Sequence, residues 1–154
     1  MPTNVILANL RKFISSMLLG LVGFAVGGIT AGVATLFVYG IGYILGAPIG
    51  FVVGGVIGWR KPLRDTVILF LSYMTLLMVV VQEVKLNSAL TGESFFVQLL
   101  WVFLGGPVAY FLATLPSRML SFDNRKKLAV MLIVVWGIGL ATYFYCWIYV
   151  WEPS

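Results

Sequence analysis

The residues best placed to carry chemistry in this chain are two prolines that lie inside apolar segments. Pro48 occurs in the sequence GAPIG and Pro107 in GGPVA. A proline within a helix lacks the backbone N–H, so it leaves a carbonyl oxygen of the preceding turn without its usual partner. Paired helix breaks of this kind form the midplane sites of secondary transporters. The candidate transport site predicted on this basis consists of Pro48, Gly105, Gly106 and Pro107.

The other side chains offer little for catalysis. The chain has no His and one Cys, and we find no phosphate-binding loop, nucleophile–base pair or carboxylate pair. We therefore predict that the protein is not an enzyme, with no catalytic residue, no metal site and no cofactor. Hydroxyl groups inside apolar helices usually bond to carbonyls of their own helix. We expect this of Thr30, Thr35, Ser72, Thr75, Thr114 and Thr142.

Glycine is concentrated early in the chain, where 12 of the 17 glycines lie between Gly20 and Gly58. Within the second apolar segment they recur at every fourth position, which places them on one helix stripe. Small residues on such a stripe let helix backbones approach closely in a membrane. The pattern predicts an antiparallel glycine-zipper hairpin; the alternative is that one glycine face docks a second copy or another subunit. The residues concerned are Gly42, Gly46, Gly50, Gly54 and Gly58 in the second segment, and Gly23, Gly27, Gly28 and Gly32 in the first.

Aromatic residues are unevenly distributed and favour one predicted membrane face. An ordinary aromatic belt occupies both interfaces. Anchoring in the outer interface is one interpretation, and a surface for a partner or a hydrophobic ligand is the other. A hydrophobic ligand of this surface would be a lipid, a quinone or a pigment. The residues of this candidate surface are Trp101, Tyr143, Tyr145, Trp147 and Trp151.

The composition determines which elements position these residues. Of the 154 residues, 61% are hydrophobic and 10% charged, against about 25% charged in soluble domains. The first uncharged run, residues 13–59, would form a helix of about 70 Å, more than twice a hydrocarbon core of about 30 Å, so it must hold two spans. The sequence predicts an all-α integral membrane protein with a single transmembrane domain over residues 1–154. Its five transmembrane helices are predicted near residues 13–36, 40–59, 64–84, 95–116 and 128–150.

The charges predict the orientation of these spans, because basic residues collect on the cytoplasmic side of short loops. With a cytoplasmic N-terminus and an outside C-terminus, only Lys85 among the ten basic residues falls outside. The net charge of +5 is then explained by the basic residues that collect on the cytoplasmic side, and we predict no nucleic-acid binding. The predicted location is the bacterial inner (plasma) membrane, with an organelle inner membrane as the alternative. The basic residues predicted inside are Arg11, Lys12, Arg60, Lys61, Arg64, Arg118, Arg125, Lys126 and Lys127.

Two functions are compatible with these features. The first is a non-catalytic integral membrane subunit or assembly protein of a larger complex, docked through its glycine-rich helices and its aromatic outer surface. Its partners would be membrane lipids and other integral membrane subunits or copies of itself. The alternative is a small oligomeric channel or transporter with its site at the Pro48 and Pro107 breaks.

Overall fold

The computed structural model describes residues 3–34, 41–91 and 104–150, and in these ranges the chain is helical with no β-strand. Short turns at residues 61–62 and 120–121 separate consecutive helices. The all-α prediction is confirmed for this part of the chain. The elements are α1 (Thr3–Ala34), α2 (Ile41–Arg60), α3 (Leu63–Thr91), a π-helical turn (Leu104–Val108), α4 (Ala109–Met119) and α5 (Phe122–Val150).

Three of the helices are long and apolar enough to cross a membrane, in agreement with the predicted membrane class. A fourth, shorter apolar helix covers Ile44–Arg60. The helices extend past several predicted boundaries: α3 continues to Thr91 and α5 begins at Phe122. Residues 95–103 of the predicted fourth span lie outside the described residues. The three long apolar segments are Asn4–Ala31, Leu63–Gln82 and Phe122–Tyr145.

The helices pack as a hairpin of α1 and α2 placed against a second group of helices. The contact between α1 and α2 is the most extensive in the described structure, and α3 packs against α1, α4 and α5. A small core forms where α1, α3 and α4 meet. Its buried members are Leu19, Val22, Leu69, Tyr73, Ala109 and Ala113.

The beginnings of α3 and α5 lie at the same end of the molecule, held together by Asp65. Its carboxylate accepts hydrogen bonds from Arg64 Nε at 3.2 Å and from Arg125 Nη1 at 3.3 Å. The Arg64 guanidinium also lies 4.0 Å from the centre of the Phe122 ring. Further along, Trp136 Nε1 donates to Thr75 Oγ1 at 3.1 Å. These contacts show that α3 and α5 run parallel.

Candidate functional site

Glycines bring the backbones of α1 and α2 into direct contact. A Cβ atom on Gly23 would overlap the carbonyl oxygen of Gly50, and one on Gly27 would overlap that of Gly46. A Cβ atom on Gly54 would likewise overlap the carbonyl oxygen of Leu19. No side chain fits at these positions unless the helices separate. Gly46, Gly50 and Gly54 of α2 therefore face α1 of the same chain.

The contact continues toward the start of α1 through small and hydroxylic residues. Gly58 packs against the Ser15 backbone, and Ser16 Oγ donates to the Gly55 carbonyl at 2.9 Å. The residue numbers rise along α1 as they fall along α2, so the hairpin is antiparallel. Gly28 faces Ala47, whose Cβ would lie 3.4 Å from an added Cβ. The immediate surroundings of Gly32 and Gly42 lie outside the described residues.

The two candidate prolines occupy different backbone environments. Helix α2 runs through Pro48 as a continuous α-helix, so the expected interruption there is wrong. One missing N–H removes only one hydrogen bond of the ladder, and membrane helices tolerate such a loss where local adjustments re-satisfy the carbonyl. Pro107 lies in the π-helical turn that precedes α4. Such turns arise where the regular α-helical ladder is disturbed.

The π-helical turn is packed closely against its neighbours. The buried hydroxyl of Tyr73 donates to the Gly105 carbonyl at 3.0 Å. A Cβ on Gly105 would lie 3.5 Å from Val80 Cγ1, and one on Gly106 would lie 3.5 Å from Thr30 Oγ1. Both glycines are buried. The turn thus joins α4 to α3 and α1 through ordinary van der Waals contacts and one buried hydrogen bond.

A groove of about 450 Å³ runs beside the glycine contact, between α1 and α2. Thr30 and Tyr110 supply its polar side chains, and neither candidate proline lines it. The Thr30 hydroxyl donates a hydrogen bond to the Val26 carbonyl of its own helix. The groove is therefore an apolar channel along the hairpin. Its other lining residues are Leu19, Gly23, Val26, Gly27, Ala31, Gly46, Ile49, Gly50, Val53, Gly54 and Ile57.

The C-terminal half of α5 is exposed over residues 137–145. A Cβ on Gly137 or Gly139 would meet no described atom within 4 Å beyond its sequence neighbours and the adjacent helix backbone. Ile138 between them is 63% exposed and Tyr143 is 65% exposed. Since successive residues are about 100° apart around a helix, the open surface at residues 137–139 covers about 200°.

The aromatic candidates lie partly on this surface. Tyr143 and Tyr145 are exposed, and the Tyr143 ring meets Phe144 edge to face, with the ring centres 6.1 Å apart. Trp147 lies on α5, although its contacts are outside the described residues. Trp101 and Trp151 lie outside the described residues altogether.

The hydroxyl groups have the expected local partners. Four of the six hydroxylic residues singled out from the sequence donate to a carbonyl of their own helix, which confirms that expectation for them. They are Thr30, Thr75, Thr114 and Thr142. Among the described residues, no group of three or more Cys, Asp or Glu side chains is arranged to hold a metal ion.

No family model, curated protein or solved structure matches the chain. What it does must therefore be inferred from its own contacts and surfaces.

Sequence reasoning missed two residues that organise this structure. Tyr73 was not singled out, although a tyrosine near the middle of an apolar span needs a partner for its hydroxyl. Asp65 is the second of these residues. Its position in the first turn of α3, next to Arg64, was the available signal, because acids are favoured at helix N-termini.

Proposed function

We propose that the protein is a non-catalytic integral membrane subunit or assembly protein with five transmembrane helices, its N-terminus in the cytoplasm and its C-terminus outside. The observation that carries the proposal is the open outer half of α5. The turns that join α2 to α3 and α4 to α5 are two residues long, so the described part of the chain consists almost entirely of helices. We therefore place its function in the surfaces of these helices.

The positions of the basic residues support the proposed topology. The start of α1 lies beside the end of α2 through the Ser15–Gly58 contact. The start of α3 follows α2 after two residues and lies beside the start of α5 through the Asp65–Arg125 ion pair. Arg118 near the end of α4 is separated from α5 by a short turn. One end of the molecule thus gathers the bases assigned to the cytoplasm, as the positive-inside rule requires.

The lengths of α2 and α4 support five crossings. Helix α2 has 20 residues, about 30 Å of helix, which matches the hydrocarbon core. It lies antiparallel to α1 along its length, so it returns through the same layer. The π-helical turn packs against α3 and α1 at the level of Tyr73, and α4 runs from there back to the Asp65 end, where a two-residue turn joins it to α5. We infer that they form the inner part of the fourth span.

The proposed docking surface is the outer half of α5. The α2 glycines pack against α1, so they are not available to a second protein without opening the hairpin. At Gly137 and Gly139 of α5, an added Cβ would meet no described atom within 4 Å beyond its sequence neighbours and the adjacent helix backbone, and small residues of this kind mark helix contacts in membranes. The exposed Ile138 and Tyr143 add apolar and aromatic area beside them. We propose another integral membrane subunit as the partner.

Site-specific photocrosslinking in cells tests this proposal. A benzophenone amino acid replaces Ile138 in the test protein and Val52 in the control, two residues exposed to 63% and 62%. We expect a discrete protein adduct from position 138 and none of comparable yield from position 52. Gly137→Leu with Gly139→Leu should abolish the adduct while the thermal melting of the purified protein stays unchanged.

The same experiment separates the alternatives. A 138 adduct with twice the chain mass identifies a second copy as the partner, and no adduct at 138 contradicts the proposal. Flux through liposomes that contain the purified chain alone, lost on Pro48→Ala and Pro107→Ala, would establish the transporter alternative instead.

A further inference from the structure

The stripes of residues that line the groove between α1 and α2 point toward the basic end of the hairpin. Its lining ends at Leu19 on α1 and at Ile57 on α2. Arg60 follows Ile57 by one helical turn, and Lys12 precedes Leu19 by two turns, so both continue the stripes that line the groove. Both residues are exposed. The two stripes that line the apolar groove therefore continue to a pair of cationic side chains.

These two cations are not neutralised by the described part of the chain. Both ion pairs there use Asp65, with Arg64 and Arg125 as partners. The antiparallel register, which sets Leu19 against Gly54 and Ser15 against Gly58, brings Lys12 level with the end of α2. Lys12 and Arg60 thus lie at the same end of the hairpin, where it reaches the proposed cytoplasmic interface, with side chains long enough to extend into the head-group layer.

We propose that the groove binds one anionic phospholipid, with an acyl chain along the glycine contact and the phosphate between Lys12 and Arg60. From Gly46 to Ile57 the groove extends about 16 Å along α2, a length suited to an acyl chain. Its volume of about 450 Å³ falls within the usual range of ligand sites. Basic pockets between helices on the cytoplasmic side bind such head groups. The proposal depends on the membrane placement and is independent of docking through α5.

The combination of an apolar groove and two cationic side chains indicates which kind of molecule binds in the groove. A transmembrane helix of a partner protein would place further apolar side chains beside Lys12 and Arg60 and leave both charges without a counterion. An uncharged lipid would fill the channel equally well and gain nothing from them. An anionic lipid satisfies both ends of the groove.

Native mass spectrometry of the full chain in detergent, with equal amounts of dioleoyl phosphatidylglycerol or dioleoyl phosphatidylcholine added, tests the proposal. We expect one tightly bound phosphatidylglycerol, favoured over phosphatidylcholine by about 30-fold, the factor that two basic residues at an anionic surface provide. Lys12→Gln with Arg60→Gln should remove this preference. The matched control is Lys126→Gln with Lys127→Gln, which removes two charges at the same end on α5 and should leave it intact.

A second pair of variants tests the acyl-chain channel. Val53 lines the groove and is 53% exposed, whereas its neighbour Val52 is 62% exposed and does not line it. Val53→Phe should lower binding of both lipids at least about tenfold, a loss of about 1.4 kcal/mol, and Val52→Phe should not. If Val53→Phe fails to fold, Ile49→Phe fills the same groove from another exposed position.

Several results would overturn the proposal. Equal binding of the two lipids would show that the head-group site does not exist. If both charge-pair variants lose the preference for phosphatidylglycerol equally, the preference comes from general surface charge. Unchanged lipid binding in Val53→Phe would show that no acyl chain occupies the groove. A dimer mass that disappears on Val53→Phe assigns the groove to a second copy of the chain.

Discussion

Gly23 and Gly50 meet backbone to backbone, such that a methyl group on either residue would overlap the carbonyl oxygen of the other. The relationship is reciprocal because the two helices are antiparallel and cross at their small residues. In lipid, where burial of apolar surface gives helices little reason to associate, such close contact supplies the dispersion attraction that holds them together. The stability of the hairpin therefore depends on the absence of two side chains.

Gly50→Ala should destabilise the protein by about 1–3 kcal/mol, the usual cost of an added methyl group in a packed interior. The neighbouring atom is a backbone oxygen, so it cannot rotate away and the helices must move apart. The measurement is the free energy of unfolding from helical circular dichroism as sodium dodecyl sulfate is added to a mild detergent.

Gly139→Ala is the matched control for Gly50→Ala. Alanine favours helix over glycine by about 1 kcal/mol, and a Cβ at Gly139 meets nothing in the described structure within 4 Å beyond its sequence neighbours and the adjacent helix backbone. We expect this variant to be neutral or stabilised. Equal stability of the two variants would show that the α1–α2 backbones do not touch as described.

The glycine series illustrates what sequence alone could establish. The four-residue step predicts a close helix contact, because it places small residues on one stripe. It could not decide what lies opposite, since a stripe is equally suited to the same chain or to a partner. In the described structure, Gly46, Gly50, Gly54 and Gly58 lie against α1 of the same chain.

Residues at similar places in the sequence pattern also behave differently. Pro48 and Pro107 follow the same local pattern, yet only Pro107 lies in a π-helical turn. The difference depends on contacts with other helices, such as the Tyr73 hydroxyl bound to the Gly105 carbonyl. Such long-range contacts cannot be recognised from the spacing of residues along the sequence.

The ends of the helices also differ from the predicted span boundaries. The helix of the predicted fifth span, 128–150, begins at Phe122, because a polar first turn extends it beyond the apolar run.

Tyr73→Phe should destabilise the protein by about 1 kcal/mol, because it removes a buried hydrogen bond and leaves the Gly105 carbonyl without that donor. The ring remains, so packing in the core around Leu69 and Ala109 is preserved. Unfolding in dodecyl sulfate measures the loss. Tyr143→Phe, at an exposed position, should leave stability unchanged; an equal loss in both variants would mean that the Tyr73 hydrogen bond contributes nothing specific.

Asp65 should couple energetically to Arg125. The two side chains are 17% and 26% exposed, so a double-mutant cycle of Asp65→Asn and Arg125→Gln should give a coupling of about 0.2–1 kcal/mol in unfolding free energy. Raising the salt concentration to about 1 M should reduce it, since the Debye length then falls to about 3 Å. Additive single effects would show that the ion pair does not connect α3 to α5.

Cysteine labelling should place the turn between α4 and α5 in the cytoplasm. Ser121 is exposed in that turn, beside the basic residues that begin α5, and the positive-inside rule assigns this end to the cytoplasmic face. In a Cys146→Ser background, we expect Ser121→Cys to react with a membrane-impermeant maleimide only after the cells are permeabilised. Asn87→Cys, near the opposite end of α3, should react in intact cells. Reaction of Ser121→Cys in intact cells would reverse the proposed orientation, and reaction of both from the same side would contradict the crossing by α3.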